Sequence, residues 1–315
     1  MKAIALISGG LDSILAAKLI IDQGIEVMGL YHVLPFVSEK KDWAGQVGDC
    51  LQIPLRRLEA GEDYLELVRH PRFGYGSGMN PCMDCRIYML RGARKVVEET
   101  GASFVVTGDV LGQRPMTQTR RKLALEEDEA GLDGLILRPL TAKELPETTP
   151  EREGWVDREK LLGIRGRSRK PQMALARELN LSGYRSPDSG CLLVNKEFAQ
   201  RIRDLFGHQD RFSMRDAELL RIGRHFYHGP ARVVVGRNEQ ENRRLLELRD
   251  TDECVLEAVG VGSPVTLLQG PATEDAIDFA ARLTARYSDA PAGEAIVEIR
   301  RDGVVGTLAV DLERE

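Results

Sequence analysis

Over the first hundred or so residues, short apolar runs alternate with stretches in which apolar side chains recur at helical spacing. Ala3–Ile7 is wholly apolar and reads as a buried strand, and Ser13–Gln23 carries a helical pattern. Glu26–Val33 predicts a second strand, Ile53–Leu58 a third, Cys85–Thr100 a helix, and "SFVVT" (Ser103–Thr107) another buried strand. Such alternation predicts a parallel sheet with helices on both faces, binding its ligands beyond the carboxyl ends of the strands. Two polar segments fall at that edge: "SGGLDS" (Ser8–Ser13) and "TGDVLGQ" (Thr107–Gln113).

Gly112 to Gly163 is polar and acidic, and reads as irregular surface loops interrupted by the short strand "LILRPL". Helices are expected at Lys170–Leu179 and Lys196–Phe206. Near residue 210 the pattern changes to short alternating stretches ("ARVVVG", "PVTLLQG", "AIVEI", "VVGTLAV") with one helix near Glu274–Tyr287. The fold class expected is therefore α/β: a parallel-sheet domain over 1–208, followed by a smaller α+β domain over 209–315.

Length and charge sharpen this picture. A chain of 315 residues suits two domains. With 44 basic and 49 acidic side chains, a net charge of -5 argues against a general polyanion binder and leaves room for a local basic groove. No apolar run reaches the ~18–20 residues that span a bilayer. The N-terminus enters a strand without a basic leader region, so no membrane association and a cytoplasmic location are expected. Five cysteines are an odd number, unsuited to a disulfide framework, and two of them form a Cys-x-x-Cys pair.

The first candidate site is the turn Ser8, Gly9, Gly10, Leu11, Asp12, Ser13. A glycine-paired strand-to-helix turn points backbone N–H groups into one concavity at a helix N-terminus, and this favours an anion. Asp12 would repel phosphate unless it held a Mg²⁺ ion bridging to it. The plainer reading is an ordinary capped turn, with Asp12 or Ser13 as the cap.

The second candidate is a set of cysteines. "NPCMDCRIYML" sets Cys82 and Cys85 at the entrance of a helix, where thiolates are favoured. "SPDSGCLL" adds Cys191 far downstream. Cys50 and Cys254 read as small buried hydrophobes. Two chemistries compete: the three cysteines ligate three irons of a [4Fe–4S] cluster, or Cys85 and Cys191 form a persulfide and resolving pair. A structural zinc would need a fourth ligand that no nearby side chain supplies.

"SGGLDS" directly after the first strand resembles the PP-loop of the ATP pyrophosphatases (the adenine nucleotide alpha hydrolase-like fold), which split ATP into AMP and pyrophosphate. "TGDVLGQ" resembles a segment of their tRNA thiouridine synthetase branch. A Cys-x-x-Cys pair plus one distant cysteine is similar to the cluster-dependent tRNA thiolases, although Cys85 and Cys191 alone would also match the persulfide-dependent 2-thiouridylases. The resemblance implies an ATP-dependent tRNA sulfurtransferase. ATP would sit on Ser8–Ser13 and Gly108, Asp12 would help to hold Mg²⁺, and Asp109 would act near the nucleotide. A [4Fe–4S] cluster would bind through Cys82, Cys85 and Cys191, and the transferred sulfur would come from sulfide or a persulfide carrier. In such chemistry a uridine carbonyl is adenylated, and sulfur then displaces AMP.

Arg165, Arg167, Arg169 and Lys170 form the densest basic cluster of the first domain, and a tRNA backbone contact is expected there. "RIGRHFYHGPARVVVGRNEQEN" with the later "LTARYS" resembles an NFACT-R type RNA-binding domain, over about residues 210 to 315. Two other readings remain open: a PP-loop amidotransferase or ligase, and an RNA-binding module with a vestigial PP-loop.

Overall fold

The computed structural model describes residues 1–37, 41–184 and 190–312. It divides into two compact units, Met1–Lys196 and Glu197–Glu315.

The first unit is built on β1 (Lys2–Leu6), α1 (Leu11–Ile21), β2 (Glu26–Val33), α2 (Trp43–Leu51), β3 (Leu55–Glu59), α3 (Glu62–Arg69), α4 (Cys82–Thr100) and β4 (Phe104–Val106). It continues through α5 (Arg120–Ala130), β5 (Ile136–Leu137), α6 (Thr149–Arg152) and α7 (Lys170–Glu178). The five strands form one sheet in the order β3-β2-β1-β4-β5, and every neighbouring pair is parallel. In register, Ala3 of β1 faces Val27 of β2 on one side and Phe104 of β4 on the other.

The apolar runs are strands because both faces are covered. Ala3, Ala5, Val27 and Phe104 pack with α1, whereas Ile4, Leu30 and Val105 pack with Leu90, Ala93 and Val96 of α4. The order reverses at β1, so the turns after β1 and β4 both open at one edge of the sheet.

One expectation for this unit is corrected. The acidic stretch read as loop contains α5, capped by Thr119, whose side chain accepts a hydrogen bond from the Lys122 amide. Only Leu123, Glu126 and Ala130 of this helix are buried, so its inward stripe is too thin to show as a periodicity. Helix α4 also starts earlier than the pattern suggests, and it takes in both Cys82 and Cys85.

The second unit holds α8 (Lys196–His208), which begins at the last residue of the first unit, then α9 (Met214–Leu219), β6 (Arg224–His228), β7 (Ala231–Val235) and α10 (Glu239–Leu248). It ends with β8 (Cys254–Ala258), β9 (Thr266–Gln269), α11 (Glu274–Arg286), β10 (Gly293–Arg301) and β11 (Val304–Leu312). The strands form an antiparallel sheet in the order β11-β10-β8-β9-β7-β6. Val233, Val235, Leu256 and Leu268 pack on Ala276, Ala280 and Leu283 of α11. Val234, Val255 and Leu267 pack with Leu219 of α9 and Leu245 of α10. The sequence pattern puts the domain change near 208, but α8 belongs to the second unit, where Arg201 donates to the Leu220 carbonyl at 3.2 Å.

Among the described residues no helix is long and apolar enough to cross a membrane.

Candidate functional site

Ser8 to Ser13 forms the turn between β1 and α1, with Gly10 as the helix cap. The Ser13 hydroxyl donates to the Gly10 carbonyl at 2.8 Å and accepts from the Ser8 amide at 3.3 Å. The loop is thereby closed on itself, and the first N–H groups of α1, which have no intrahelical acceptor, point outward. Gly9 has φ +74°, and a Cβ there would lie 2.6 Å from the Trp43 Cβ. Gly108, in the turn after β4, comes closer still: a Cβ would lie 2.5 Å from the Asp12 carbonyl carbon and 2.6 Å from the Ser13 nitrogen. Only glycine lets these two loops touch backbone to backbone, and this packing joins Ser8–Ser13 and Gly108 into one site.

Asp12 is held from outside its own loop. Its Oδ2 accepts from Gln113 Nε2 at 2.7 Å and lies 4.0 Å from Arg169 Nη2. The Gln113 Oε1 in turn accepts from Gln172 of α7 at 2.8 Å. The Asp12 Oδ1 is buried without a hydrogen-bond partner. An orphaned carboxylate oxygen in the wall of a cavity would fit a Mg²⁺ ion, which takes oxygen ligands.

Asp109 is buried and accepts from Thr107 Oγ1 at 2.7 Å and Gln118 Nε2 at 2.9 Å, and it pairs with Arg86. Burial pushes its carboxyl up, but Arg86, Arg138 and these hydrogen bonds prevail and hold its pKa down at about 2. Glu126 of α5 lies 3.4 Å from the same Arg86, and burial raises its pKa to about 7. Two carboxylates compete for one guanidinium. Asp109, in direct contact, stays ionised, and Glu126 carries the proton near neutral pH.

The folded protein thus binds a proton at Glu126 that the unfolded chain, with a carboxyl near 4.5, releases. Stability from this group falls as pH rises from about 4.5 through about 7. Glu126→Gln is expected to match wild type near pH 4.5 and to be more stable at pH 8, by roughly 1–3 kcal/mol. Urea melts at the two pH values check this. A variant no more stable than wild type at pH 8 would contradict the assignment.

Cys82 and Cys85 lie in the first turn of α4. Cys191 reaches them through the backbone. Leu192 N–H donates to the Phe36 carbonyl at 2.8 Å, and Met79 N–H donates to the Leu193 carbonyl at 2.9 Å. All three thiols line the same cavity of about 620 Å³ as Ser8, Asp12, Ser13, Gly108 and Asp109. Residues 186–189 of the "SPDSGCLL" segment lie outside the described residues.

At Cys85 the expectation that the helix entrance favours a thiolate is corrected. Burial pushes Cys85 up to about 12, against the hydrogen bond from Tyr64, and Cys191 up to about 11. Desolvation outweighs the helix N-terminus here. Cys50 is also corrected: it is exposed on α2, whereas Cys254 is buried as expected. Among the described residues no three His, Cys, Asp or Glu side chains could hold a single metal ion. Three thiols lining one cavity would suit a polynuclear cluster, in which each cysteine could ligate a separate iron.

The basic cluster does not face one way. Arg169 turns inward to Asp12, whereas Arg165, beside Glu144 at 3.5 Å, and Arg167 and Lys170 are exposed. The site also contains residues that the motifs did not single out. Tyr64, Arg86, Gln118 and His32 line the cavity, and burial lowers the His32 pKa to about 4, so its imidazole is neutral. Gln113 and Asn80 were within reach, since both stand inside quoted motifs. In the second unit the "VGRNEQEN" element forms the end of β7 and the start of α10, where Asn238 caps the helix beside a cavity of about 420 Å³ lined by Arg224, Arg237 and Tyr287.

Comparison with known proteins gives two domain matches: residues 1–147 match "Thiamine biosynthesis protein (ThiI)", and residues 223–308 match "NFACT protein RNA binding domain". The chain is 29% identical over 149 residues to the probable tRNA sulfurtransferase of Thermococcus kodakarensis, covering 44% of this chain and 36% of that protein. It is 29% identical over 224 residues to the tRNA-specific 2-thiouridylase MnmA of Xanthobacter autotrophicus, covering 65% of this chain and 54% of that protein. A solved 4-thiouridine synthetase–RNA complex with bound ATP is 30% identical over 44% of this chain and 36% of its own, with a TM-score of 0.36. The chain therefore spans about a third to a half of the curated relatives' length. Residues 1–147 are thus similar to the thiamine biosynthesis protein (ThiI) family, and residues 223–308 to the RNA-binding domain of the NFACT protein family.

Proposed function

We propose that this protein is an ATP-dependent tRNA sulfurtransferase, which adenylates a uridine carbonyl oxygen and replaces that oxygen with sulfur. The observation that carries the reading is the single cavity. The Ser8–Ser13 turn and three cysteines line its walls together, so activation and sulfur delivery could occur on one bound base. An amidotransferase or ligase would have no use for three thiols there.

The residues divide the work as follows. Outward N–H groups of the Ser8–Ser13 turn and the start of α1 hold the ATP phosphates. Asp12, with its free Oδ1, would hold Mg²⁺ against them, and Arg169 is placed to neutralise charge on the departing pyrophosphate. Gln113 and Gln172 fix the Asp12 rotamer. The Asp109–Arg86 pair, anchored by Thr107 and Gln118, sets a guanidinium in the cavity wall next to Cys85. Cys82, Cys85 and Cys191 would hold a [4Fe–4S] cluster, which when bound supplies an open iron for a sulfur ligand. The cavity's apolar wall of Leu6, Leu30, Tyr31 and Met89 keeps water from the activated base. A tRNA base would be turned out of its stack to enter.

Thionucleoside analysis of tRNA from a deletion strain tests the reading. One thiouridine should vanish and return with the wild-type gene but not with Asp12→Ala. An unchanged thionucleoside profile would remove it.

The basic cluster makes a separate prediction. Arg165, Arg167 and Lys170 replaced together by alanine should weaken tRNA binding and reduce the slope of log K against log salt by about 0.7–0.9 per lost phosphate contact. Arg169→Ala should leave that slope alone and instead raise the KM for ATP. The reverse pattern in a filter-binding titration would reassign Arg169 to the RNA.

A further inference from the structure

Among the described residues, Cys82 and Cys85, which line the cavity, each accept a hydrogen bond at sulfur from a side chain. Asn80 Nδ2 donates to Cys82 Sγ at 3.0 Å, and the Tyr64 hydroxyl donates to Cys85 Sγ at 3.4 Å. Among the described residues, neither Cys50 nor Cys254 receives such a bond at its thiol.

Both side-chain donors are fixed by their surroundings. The Gly78 N–H donates to Asn80 Oδ1 at 2.9 Å, so the amide can present only its NH₂ group to Cys82. Asn80 is 4% exposed, so no solvent competes for that donor. Tyr64, on α3, is 1% exposed and packs edge-to-face against Tyr88 with ring centroids 5.2 Å apart. Its hydroxyl can rotate, but sulfur is its hydrogen-bond acceptor in this buried position.

We propose that Tyr64 and Asn80 are positioning residues that hold Cys85 and Cys82 as ligands and raise the reduction potential of the cluster those cysteines bind. The inference rests on the cluster reading above. The physical reason is charge. A reduced cluster carries one more electron than the oxidised one, and much of that charge lies on the thiolate sulfurs. A donor aimed at sulfur therefore stabilises the reduced form more than the oxidised form. In a cavity with an apolar wall such donors act with little screening. Their consequence is a cluster that remains reducible although burial of the thiolates alone would disfavour added negative charge.

The test is a redox titration of the anaerobically reconstituted full-length protein, followed by EPR, with iron counted on the same samples. Tyr64→Phe keeps the ring and removes only the donor. It should retain about four irons per chain and shift the midpoint to a more negative value. Difluorotyrosine at position 64, a stronger donor of the same shape, should shift it the opposite way and covers the case in which phenylalanine disturbs folding. Iron retained with the midpoint unmoved in both proteins would overturn this inference and leave the cluster reading standing. Wild-type protein that binds no iron would overturn the cluster reading and this inference with it.

Discussion

Replacing Asp12 by alanine is expected to lower pyrophosphate release from ATP by roughly two to three orders of magnitude, while thermal unfolding stays close to wild type. The carboxylate contributes little to the core. It is held by Gln113 at 2.7 Å and faces Arg169 at 4.0 Å, and its other oxygen is buried without a partner. That arrangement leaves hydrogen-bonding capacity unused, and the proposed Mg²⁺ ion would take up the free oxygen. Asp12→Asn should fail almost as badly, since it keeps the shape and loses the charge. A folded Asp12→Ala protein with near-normal pyrophosphate release would contradict the role given to this turn.

The second large effect concerns the cysteines. Alanine at any one of Cys82, Cys85 or Cys191 is expected to remove the cluster, taking iron from about four per chain to near zero, and to abolish thiolation. Alanine at Cys50 or Cys254 should do neither, because one is exposed on α2 and the other is buried in the second unit's core. The persulfide alternative predicts a different pattern, in which Cys82 is dispensable and no iron is needed. Cys82 is therefore the residue that discriminates. Normal thiolation by iron-free Cys82→Ala protein would establish the persulfide route and end the cluster reading.

Which parts of this molecule could be read from the sequence follows from how each is stabilised. Strands β1, β2 and β4 are buried on both faces, so their apolar runs are unbroken and their parallel arrangement follows from the helices between them. The turn at Ser8–Ser13 shows in the sequence as a strand-to-helix corner because its paired glycines and the Ser13 hydroxyl bond to the Gly10 carbonyl are local features. Helix α5 was not, because a helix that buries Leu123, Glu126 and Ala130 and exposes most of its acidic residues looks like a loop by composition. Helix α10 was missed for the same reason, since Leu245 is its only buried residue.

Within the site, the spacing of Cys82 and Cys85 advertised itself, but the approach of Cys191 depends on backbone bonds to Phe36 and Met79 that leave no mark in composition. Arg169 looked like one more charge in a basic run, and only tertiary structure turns it onto Asp12. Burial of Cys85 opposes the helix N-terminus and raises its thiol, and no local sequence pattern carries that burial.

The central claim is that one cavity couples ATP cleavage to sulfur transfer onto tRNA. The most direct measurement supplies the reconstituted protein with ATP, tRNA and radiolabelled sulfide, and counts AMP and tRNA-bound sulfur in the same reaction. The account predicts sulfur in a thiouridine at one atom per AMP formed, with neither product accumulating when Asp12 is alanine. AMP formed without sulfur entering tRNA, at every sulfide concentration tried, would contradict it.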